Sequence, residues 1–374
     1  MTTRPTPGIA IDTSILVTTF RRPRHLALVL ESIAVQRNVP RTFEVVVADD
    51  GSEDGTADVV AAFAAHTDIP VRFTTQPHEG FRLARVRNNA ARLARGRYLL
   101  FVDGDCILPP WHLAAHIRRR RPGGALLGYC GLLSEQDSRL LVPENLAVAN
   151  VAGMLAADEL RSLIRRHRRA RWHTLVRHPT KPRLAGGDFG VWRSDFETVN
   201  GFDERFVGWG QEDDDLGLRL RAAGVRLESV LDLTWSLHVW HPTDVTATPR
   251  WRDGGNVRYF HRQGKLTACR AGLESRGREA VLWGLPADVD ATPLGRGVAN
   301  LLASAPQAAA GAACEIDIVI GSPQASFSRP AECRLLLVAE GFEPSRHAAR
   351  RADRVVSVDP ADSEAIINAL EVIG

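Results

Sequence analysis

The chain opens with short, nearly unbroken apolar runs. Longer stretches separate them, in which apolar positions recur every three or four residues. Ser14-Ile-Leu-Val-Thr-Thr19, Phe43-Glu-Val-Val-Val-Ala-Asp49, Val71–Thr75 and Tyr98-Leu-Leu-Phe-Val102 read as strands. Between them Pro23–Gln36, Thr56–His66 and Phe81–Arg95 read as helices, the first with proline near its start and the last stopped by Gly96. Strands spaced by about 10–15 helical residues describe βαβ units and a largely parallel sheet. Ligands in such sheets sit beyond the carboxyl ends of the strands. Chemistry is therefore expected in Thr18–Arg22, Asp49–Thr56 and Asp103–Asp105.

From Glu144 to His178 the pattern is helical and increasingly basic, with seven arginines and no acid between Arg161 and His178. Leu184–Trp240 returns to mixed α/β. Beyond Gly264 alanine, glycine and proline become frequent. Apolar strands recur there at Ile316–Ile320, Arg334–Val338 and Arg354–Val358, with a closing helix over Ser363–Val372. This organisation predicts an α/β protein in two parts, residues 1–263 and a small α/β appendage over 264–374. The appendage carries no motif that assigns it a role, and no internal repeat is visible.

Composition narrows the class. A length of 374 residues suggests two to three domains, and 44% hydrophobic with 24% charged residues is ordinary for a globular protein. Lys+Arg 47 against Asp+Glu 44 leaves +3, so no nucleic-acid partner is expected. Only Lys181 and Lys265 are lysines. Cys106, Cys130, Cys269, Cys314 and Cys333 are scattered and never form CxxC. That disfavours a disulfide framework or a structural zinc site and fits a reducing cytoplasm. No signal peptide is visible. The best apolar stretch, Leu146–Ala157, is too short to span a membrane and contains Asn150. Arg118–Arg121 and Arg161–His178 fit either a solvated face or peripheral contact with an anionic inner membrane surface.

Four constellations can carry chemistry. Asp103-Gly-Asp105 follows the strand ending at Val102, where two carboxylates can share Mg²⁺ or Mn²⁺ and through it a diphosphate; an Asp-Gly turn is the plain alternative. In Ala48-Asp-Asp-Gly-Ser-Glu-Asp-Gly-Thr56, Asp50 can accept hydrogen bonds from a base or ribose, while Ser52 or Asp54 can simply cap a helix. Gly208-Trp-Gly-Gln-Glu-Asp-Asp-Asp-Leu216 sets four acids before a helix patterned on Leu216, Leu220 and Ala223. A helix dipole accounts for one or two of those acids. Crowding of all four raises pKa values toward general-base use, and Trp209 offers a flat face for a sugar. In Leu237-His-Val-Trp-His-Pro242, either His238 or His241 can complete a metal site begun by Asp105.

In this order the residues resemble family 2 glycosyltransferases with the GT-A fold, over roughly residues 13–245. The resemblance runs through Val17-Thr-Thr-Phe-Arg-Arg-Pro23, Val47-Ala-Asp-Asp-Gly-Ser52, Gly80-Phe-Arg-Leu-Ala-Arg-Val-Arg-Asn-Asn89 and Phe101-Val-Asp-Gly-Asp105. Its most specific part is Gly186-Gly-Asp-Phe-Gly-Val-Trp-Arg193, Asn200-Gly-Phe-Asp-Glu204 and Gly208–Asp215. That part is similar to a motif shared with β-1,4-galactosyltransferases and chondroitin-polymerase-type enzymes.

The resemblance implies a Rossmann-like sheet flanked by helices and a UDP-sugar donor, with UDP-Gal, UDP-GalNAc and UDP-GlcNAc all open. Thr18, Asp50 and Arg87 would hold the uridine, with Arg85 beside them. Asp103 would face ribose and metal, and Asp105 would bind Mn²⁺ or Mg²⁺ together with His238, His241 being the competing choice. Asp213 matches the catalytic base, while Glu212 and Asp214 would orient donor and acceptor and Trp209 would face the acceptor. Thr19-Phe20, Asp188 and Gln211 depart from the family's frequent residues. The implied activity is inverting transfer to a glycan or lipid-linked acceptor in surface polysaccharide synthesis. The rivals are a sugar-nucleotide nucleotidyltransferase, whose GxGxR loop is absent after the first strand, and a non-catalytic scaffold, against which the intact acids and histidines argue.

Overall fold

The computed structural model describes residues 10–40, 42–146, 150–242, 254–261, 265–322, 325–327 and 329–371. The chain divides into two compact units, Met1–Phe260 and His261–Gly374. Residue 264, where composition changes, and Val372, the end of the expected closing helix, lie outside the described residues.

The first unit is built on β1 (Thr13–Thr19), α1 (Pro23–Ala34), β2 (Phe43–Asp49), α2 (Thr56–His66), β3 (Val71–Thr75), α3 (Leu83–Leu93) and β4 (Tyr98–Asp103). There follow β5 (Cys106–Ile107), α4 (His112–Arg119), β6 (Gly124–Leu127), β7 (Cys130–Leu132), α5 (Glu135–Leu140) and α6 (Ala157–Leu175). The unit's later elements are β8 (Asp188–Trp192), α7 (Arg193–Thr198), α8 (Glu212–Ala222), β9 (Arg226–Ser229), β10 (Ser236–His238) and a short helix, Gly255–Phe260. The main sheet has seven strands in the order β3-β2-β1-β4-β8-β6-β9. Strands β3, β2, β1 and β4 run parallel, and β8 is antiparallel to both β4 and β6. The expected α/β sheet flanked by helices is present.

Burial on both faces explains why β1, β2 and β4 are unbroken apolar runs. Ile15, Val17, Val45, Val47, Leu100 and Val102 pack against Leu26, Val29, Leu30 and Ile33 of α1. Phe101 stacks on Phe189 with centroids 4.5 Å apart, and Phe196 and Phe202 close around Phe101. At the amino end of the sheet Glu44 is buried but satisfied: it accepts from Ser14 Oγ at 2.7 Å and from the Arg95 amide.

Two expectations need correction. The helix expected over Phe81–Arg95 spans Leu83–Leu93, because Arg82 and Ala94 leave helical geometry. The stretch Glu144–His178 is not one helix. It holds 3-10 turns at Pro143–Asn145 and Val151–Met154, and α6 starts at Ala157 because Leu155 and Ala156 are extended. Asn150 closes the second turn by accepting from the Gly153 amide, which competes with helix. Among the described residues no helix is long and apolar enough to cross a membrane.

The second unit carries a four-stranded parallel sheet of Trp283–Gly284, Cys314–Ile320, Ala331–Ala339 and Arg354–Val358, in chain order. Ile316, Ile318, Leu335 and Leu337 face the helices Pro293–Leu301 and Ser363–Glu371, whereas Val319, Leu336 and Val338 face Ala348 and Ala352.

Leu100 is fully buried in β4 and Leu132 is 56% exposed in β7. Leu100→Ala is expected to lower unfolding stability by about 2–5 kcal/mol and Leu132→Ala by under about 0.5 kcal/mol, as read by urea denaturation followed through tryptophan fluorescence.

Candidate active site

Parallel pairing places Thr18 of β1 directly beside Asp103 of β4. Thr18 Oγ1 donates to Asp103 Oδ1 at 3.2 Å. The same oxygen accepts from Arg87 Nη2 at 3.1 Å. Arg87 projects from α3, is 2% exposed, and reaches across to α8: its Nη1 donates to Asp213 Oδ1 at 2.7 Å and to Glu212 Oε1 at 3.4 Å. Burial alone would lower the Arg87 pKa, but Asp213, Asp103 and Glu212 outweigh it and raise the value. Asp213 Oδ2 accepts from the Gly186 amide at 2.7 Å. A Cβ on Gly186 would overlap both the Arg87 guanidinium and the Asp213 carboxylate, so a side chain there would displace the ion pair they form.

The acids of α8 are thereby sorted. Glu212 is buried with Oε2 lacking any partner, and its pKa is pushed from 4.5 up to about 8 by burial and then by Asp213, with Arg87 opposing. Asp213 remains partly open beside Arg87. Asp214 pairs with Arg183 at 3.1 Å, and Asp215 is buried against Arg219 at 2.7 Å. The residue before them, Gln211, stands at φ 77, a left-handed conformation that favours glycine and costs a side chain roughly 1–2 kcal/mol.

A second cluster forms one residue beyond Gly104. Strand β10 pairs antiparallel with β5, setting His238 opposite Cys106, and the Val239 amide donates to the Asp105 carbonyl at 2.8 Å. Nε2 of His241 then lies 3.4 Å and Nε2 of His238 3.7 Å from Asp105 Oδ2. Ligand atoms of Asp105, His238 and His241 all fall within 4.8 Å of one another. One carboxylate oxygen and two imidazole nitrogens suit Mn²⁺ and similar divalent ions. The cluster already attracts a cation: Arg22 Nη1 sits 2.7 Å from Asp105 Oδ2 and 2.9 Å from His241 Nε2. Burial by itself would raise the Asp105 pKa, yet His241, His238 and Arg22 hold it well below the usual carboxylate range. Asp103, by contrast, is raised by burial and by Asp105, with Arg87 opposing.

The remaining candidates lie around this centre. Asp50, at the end of β2, is buried and accepts from Gln76 Nε2 at 2.6 Å and the Arg82 amide at 3.4 Å; burial raises its pKa. Its neighbour Asp49 forms the turn instead, accepting from the Gly51 and Ser52 amides. Beside them Phe20 stacks on His78 at 4.2 Å. Trp209 stacks on Phe81 at 4.4 Å, and Asn256 Nδ2 holds the carbonyls of Gly208, Trp209 and Gly210. Arg85 is exposed on α3, on a different face from Arg87, and is not drawn into the cluster. Arg22, Gly186 and Arg183 carry functional geometry that residue type alone did not single out. The placement of Arg22 directly after β1, and of Gly186 at the start of a motif shared with the resembled family, pointed their way, whereas nothing pointed to Arg183.

Residues 14–134 match the family model described as Glycosyl transferase family 2, and residues 167–241 match one described as the N-terminal domain of galactosyltransferase. A validoxylamine A glucosyltransferase of Streptomyces hygroscopicus subsp. limoneus is 31% identical over 261 residues, covering 63% of this chain and 54% of the relative. A chondroitin synthase of Escherichia coli is 26% identical over 240 residues, covering 60% and 34% respectively. The chain thus spans about half the length, or less, of these curated relatives. Among solved structures, a mannosyltransferase of Pyrobaculum calidifontis in complex with GDP-Man and Mn²⁺ aligns with a TM-score of 0.43 and 21% identity, covering 61% of this chain and 56% of that one.

Glu212 generates a pH prediction. The unfolded chain releases this proton near pH 4.5 and the fold holds it to about 8, so the contribution of Glu212 to stability is full below pH 4.5 and is lost as pH rises to about 8. Glu212→Gln is expected to flatten the fall of Tm across that window, which differential scanning calorimetry at stepped pH measures.

Proposed function

We propose that this chain, which belongs to glycosyl transferase family 2, moves a sugar from a UDP-sugar to a hydroxyl of a glycan or lipid-linked acceptor, with inversion at the anomeric carbon. The observation that carries this reading is the junction at Arg87, which ties the Asp103 strand end to the Glu212–Asp213 helix start. Asp105, His238 and His241, beyond Gly104, are assigned the divalent ion, Mn²⁺ or Mg²⁺. That ion, when bound, neutralises charge on the diphosphate leaving group.

The chain's own residues supply the rest. Asp50 and Thr18 stand at the carboxyl ends of β2 and β1, where the uracil and ribose of the donor belong in such a sheet. Arg87 lies too deep, and is too fully engaged, to serve mainly as a nucleotide contact. Its role in this reading is to hold Asp103 and Asp213 at fixed separation. Asp213 takes the proton of the acceptor hydroxyl as that oxygen bonds to the anomeric carbon and the bond to UDP breaks on the opposite face. Glu212, kept protonated near neutrality, is unsuited to take up a further proton and leaves the base role to its neighbour. Asp214 with Arg183, and Trp209 on Phe81, line the acceptor side. The E. coli relative's name, chondroitin synthase, supports a glycan acceptor, and the Streptomyces relative's name adds glucose to the candidate sugars.

Peripheral contact with an anionic membrane face belongs to the same reading. It is supported by exposed Arg161, Arg165, Arg168, Arg169 and Arg171 on α6, with Trp172 61% and Leu175 76% exposed beside them.

Asp213→Asn is expected to cut UDP release from a panel of UDP-sugars with acceptor by at least about 10²-fold while UDP affinity by calorimetry stays within a few-fold; turnover near the wild-type rate would remove the base assignment. Asp105→Ala is expected to abolish both activity and Mn²⁺ binding, and turnover persisting in EDTA would sink the metal role. Replacing Arg165, Arg168 and Arg169 by Gln is expected to weaken co-sedimentation with phosphatidylglycerol vesicles without changing turnover on soluble acceptors.

A further inference from the structure

Away from the Asp105 cluster, three more ligand-type side chains meet inside the first unit. His112 and His116, one turn apart on α4, and Asp188 at the start of β8 are all buried to 1% exposure or less. Nε2 of His112 lies 3.2 Å and Nε2 of His116 lies 3.7 Å from the same oxygen, Asp188 Oδ1. Each of these three atoms is sealed from solvent and lacks a hydrogen-bond partner. The two imidazoles face the carboxylate oxygen as loose pairs without a well-aligned hydrogen bond, and poorly satisfied buried polar atoms cost about 1–3 kcal/mol each, a cost that a shared ion would relieve.

We propose that His112, His116 and Asp188 bind a structural divalent transition metal, zinc by ligand chemistry, at a site separate from the Asp105 cluster and independent of the transfer reading. Ligand bonds of about 2.0–2.1 Å in tetrahedral array place the ligand atoms about 3.3 Å apart, between the 3.2 and 3.7 Å seen from the two imidazoles to Asp188, whereas a charge-assisted imidazole–carboxylate hydrogen bond is about 2.7–2.9 Å. The ligand types, two imidazoles and one carboxylate, are those of zinc. Each ligand is also oriented from behind, as metal ligands are. His112 Nδ1 meets Thr234 Oγ1 at 2.9 Å, His116 Nδ1 meets the Tyr98 hydroxyl at 3.4 Å, and Asp188 Oδ2 accepts from Ser236 Oγ at 3.0 Å. Space is reserved for them: a Cβ on Gly128 would overlap the Asp188 carboxylate, and one on Gly190 would overlap the Tyr98 hydroxyl. The ion would tie α4 to β8, directly after the Gly186-Gly187 segment, whose Gly186 amide holds Asp213. Because ligands from α4 and β8 come together only in the folded chain, the ion is taken up on folding.

The test uses the full chain without a metal-chelating tag, passed through metal-free buffer and assayed by elemental analysis. About one zinc per chain is expected in the wild type and in the Asp105→Ala/His238→Ala double variant, in which the other cluster is broken. Loss is expected in His112→Gln/His116→Gln and in Asp188→Asn. Because these ligand variants can fail to fold, the Asp105→Ala/His238→Ala protein is also unfolded with chelator and refolded with Co²⁺. Intense visible bands of tetrahedral cobalt, abolished by added zinc, support the site. A folded protein that holds neither ion, its histidines and carboxylate sharing only protons, overturns it. So does metal that vanishes from the Asp105→Ala/His238→Ala variant but persists in His112→Gln/His116→Gln.

Discussion

A single buried cation governs the geometry of the candidate active site. The Arg87 guanidinium faces Asp103, Glu212 and Asp213 from a position 2% exposed to solvent. Three carboxylates this close repel one another strongly in a poorly polarisable interior, and removing the cation would leave them uncompensated. The bond network is therefore stringent: Arg87 must be delivered by α3, Asp103 by β4 and the acid pair by α8, each to within hydrogen-bond distance. Those elements lie in the two separately matched segments, residues 14–134 and 167–241, and Arg87 is where the two become one site.

Backbone features make that convergence possible. Gly186 lets a loop lie against the guanidinium where any side chain would collide. Gly104 does the same between the two aspartates, since a Cβ there would stand 2.7 Å from the Thr18 carbonyl. Pairing of the two-residue strand β5 with β10 carries His238 and His241 to Asp105, although the three are remote in the chain. Gln211 is held in a left-handed conformation at the turn into α8, a local strain that the Arg87 and Asn256 contacts on either side can sustain.

The acidic run of α8 shows how environment differentiates identical chemistry. Four adjacent carboxylates receive four fates: a buried acid holding its proton, a partly open carboxylate beside Arg87, a surface pair with Arg183 and a buried pair with Arg219. Their spacing around one helical turn points them in different directions. Reading the run as one patch of charge would hide this division, on which the separation of base and protonated neighbour rests.

Much was legible before any coordinates. The strands β1, β2 and β4 follow from their apolar runs, because a central parallel strand is apolar on both faces, while the edge strand β3 and the helices between follow from the alternation of elements. The carboxylates at the strand ends are visible because polar residues interrupting apolar runs mark where the sheet stops, and the acids before Leu216 because they open a helix. What composition and spacing could not rank was partnership. That Arg87 rather than Arg85 enters the site depends on which helix face meets the sheet, and that both histidines reach Asp105 depends on the pairing of β5 with β10. The tie from Arg22 to Asp105, and the meeting of the one-turn pair His112 and His116 with the remote Asp188, likewise depend on joins that no periodicity in the chain announces. Local pattern reports which face of an element is apolar, whereas the pairing of charges across elements is decided only when the sheet order and loop paths are set.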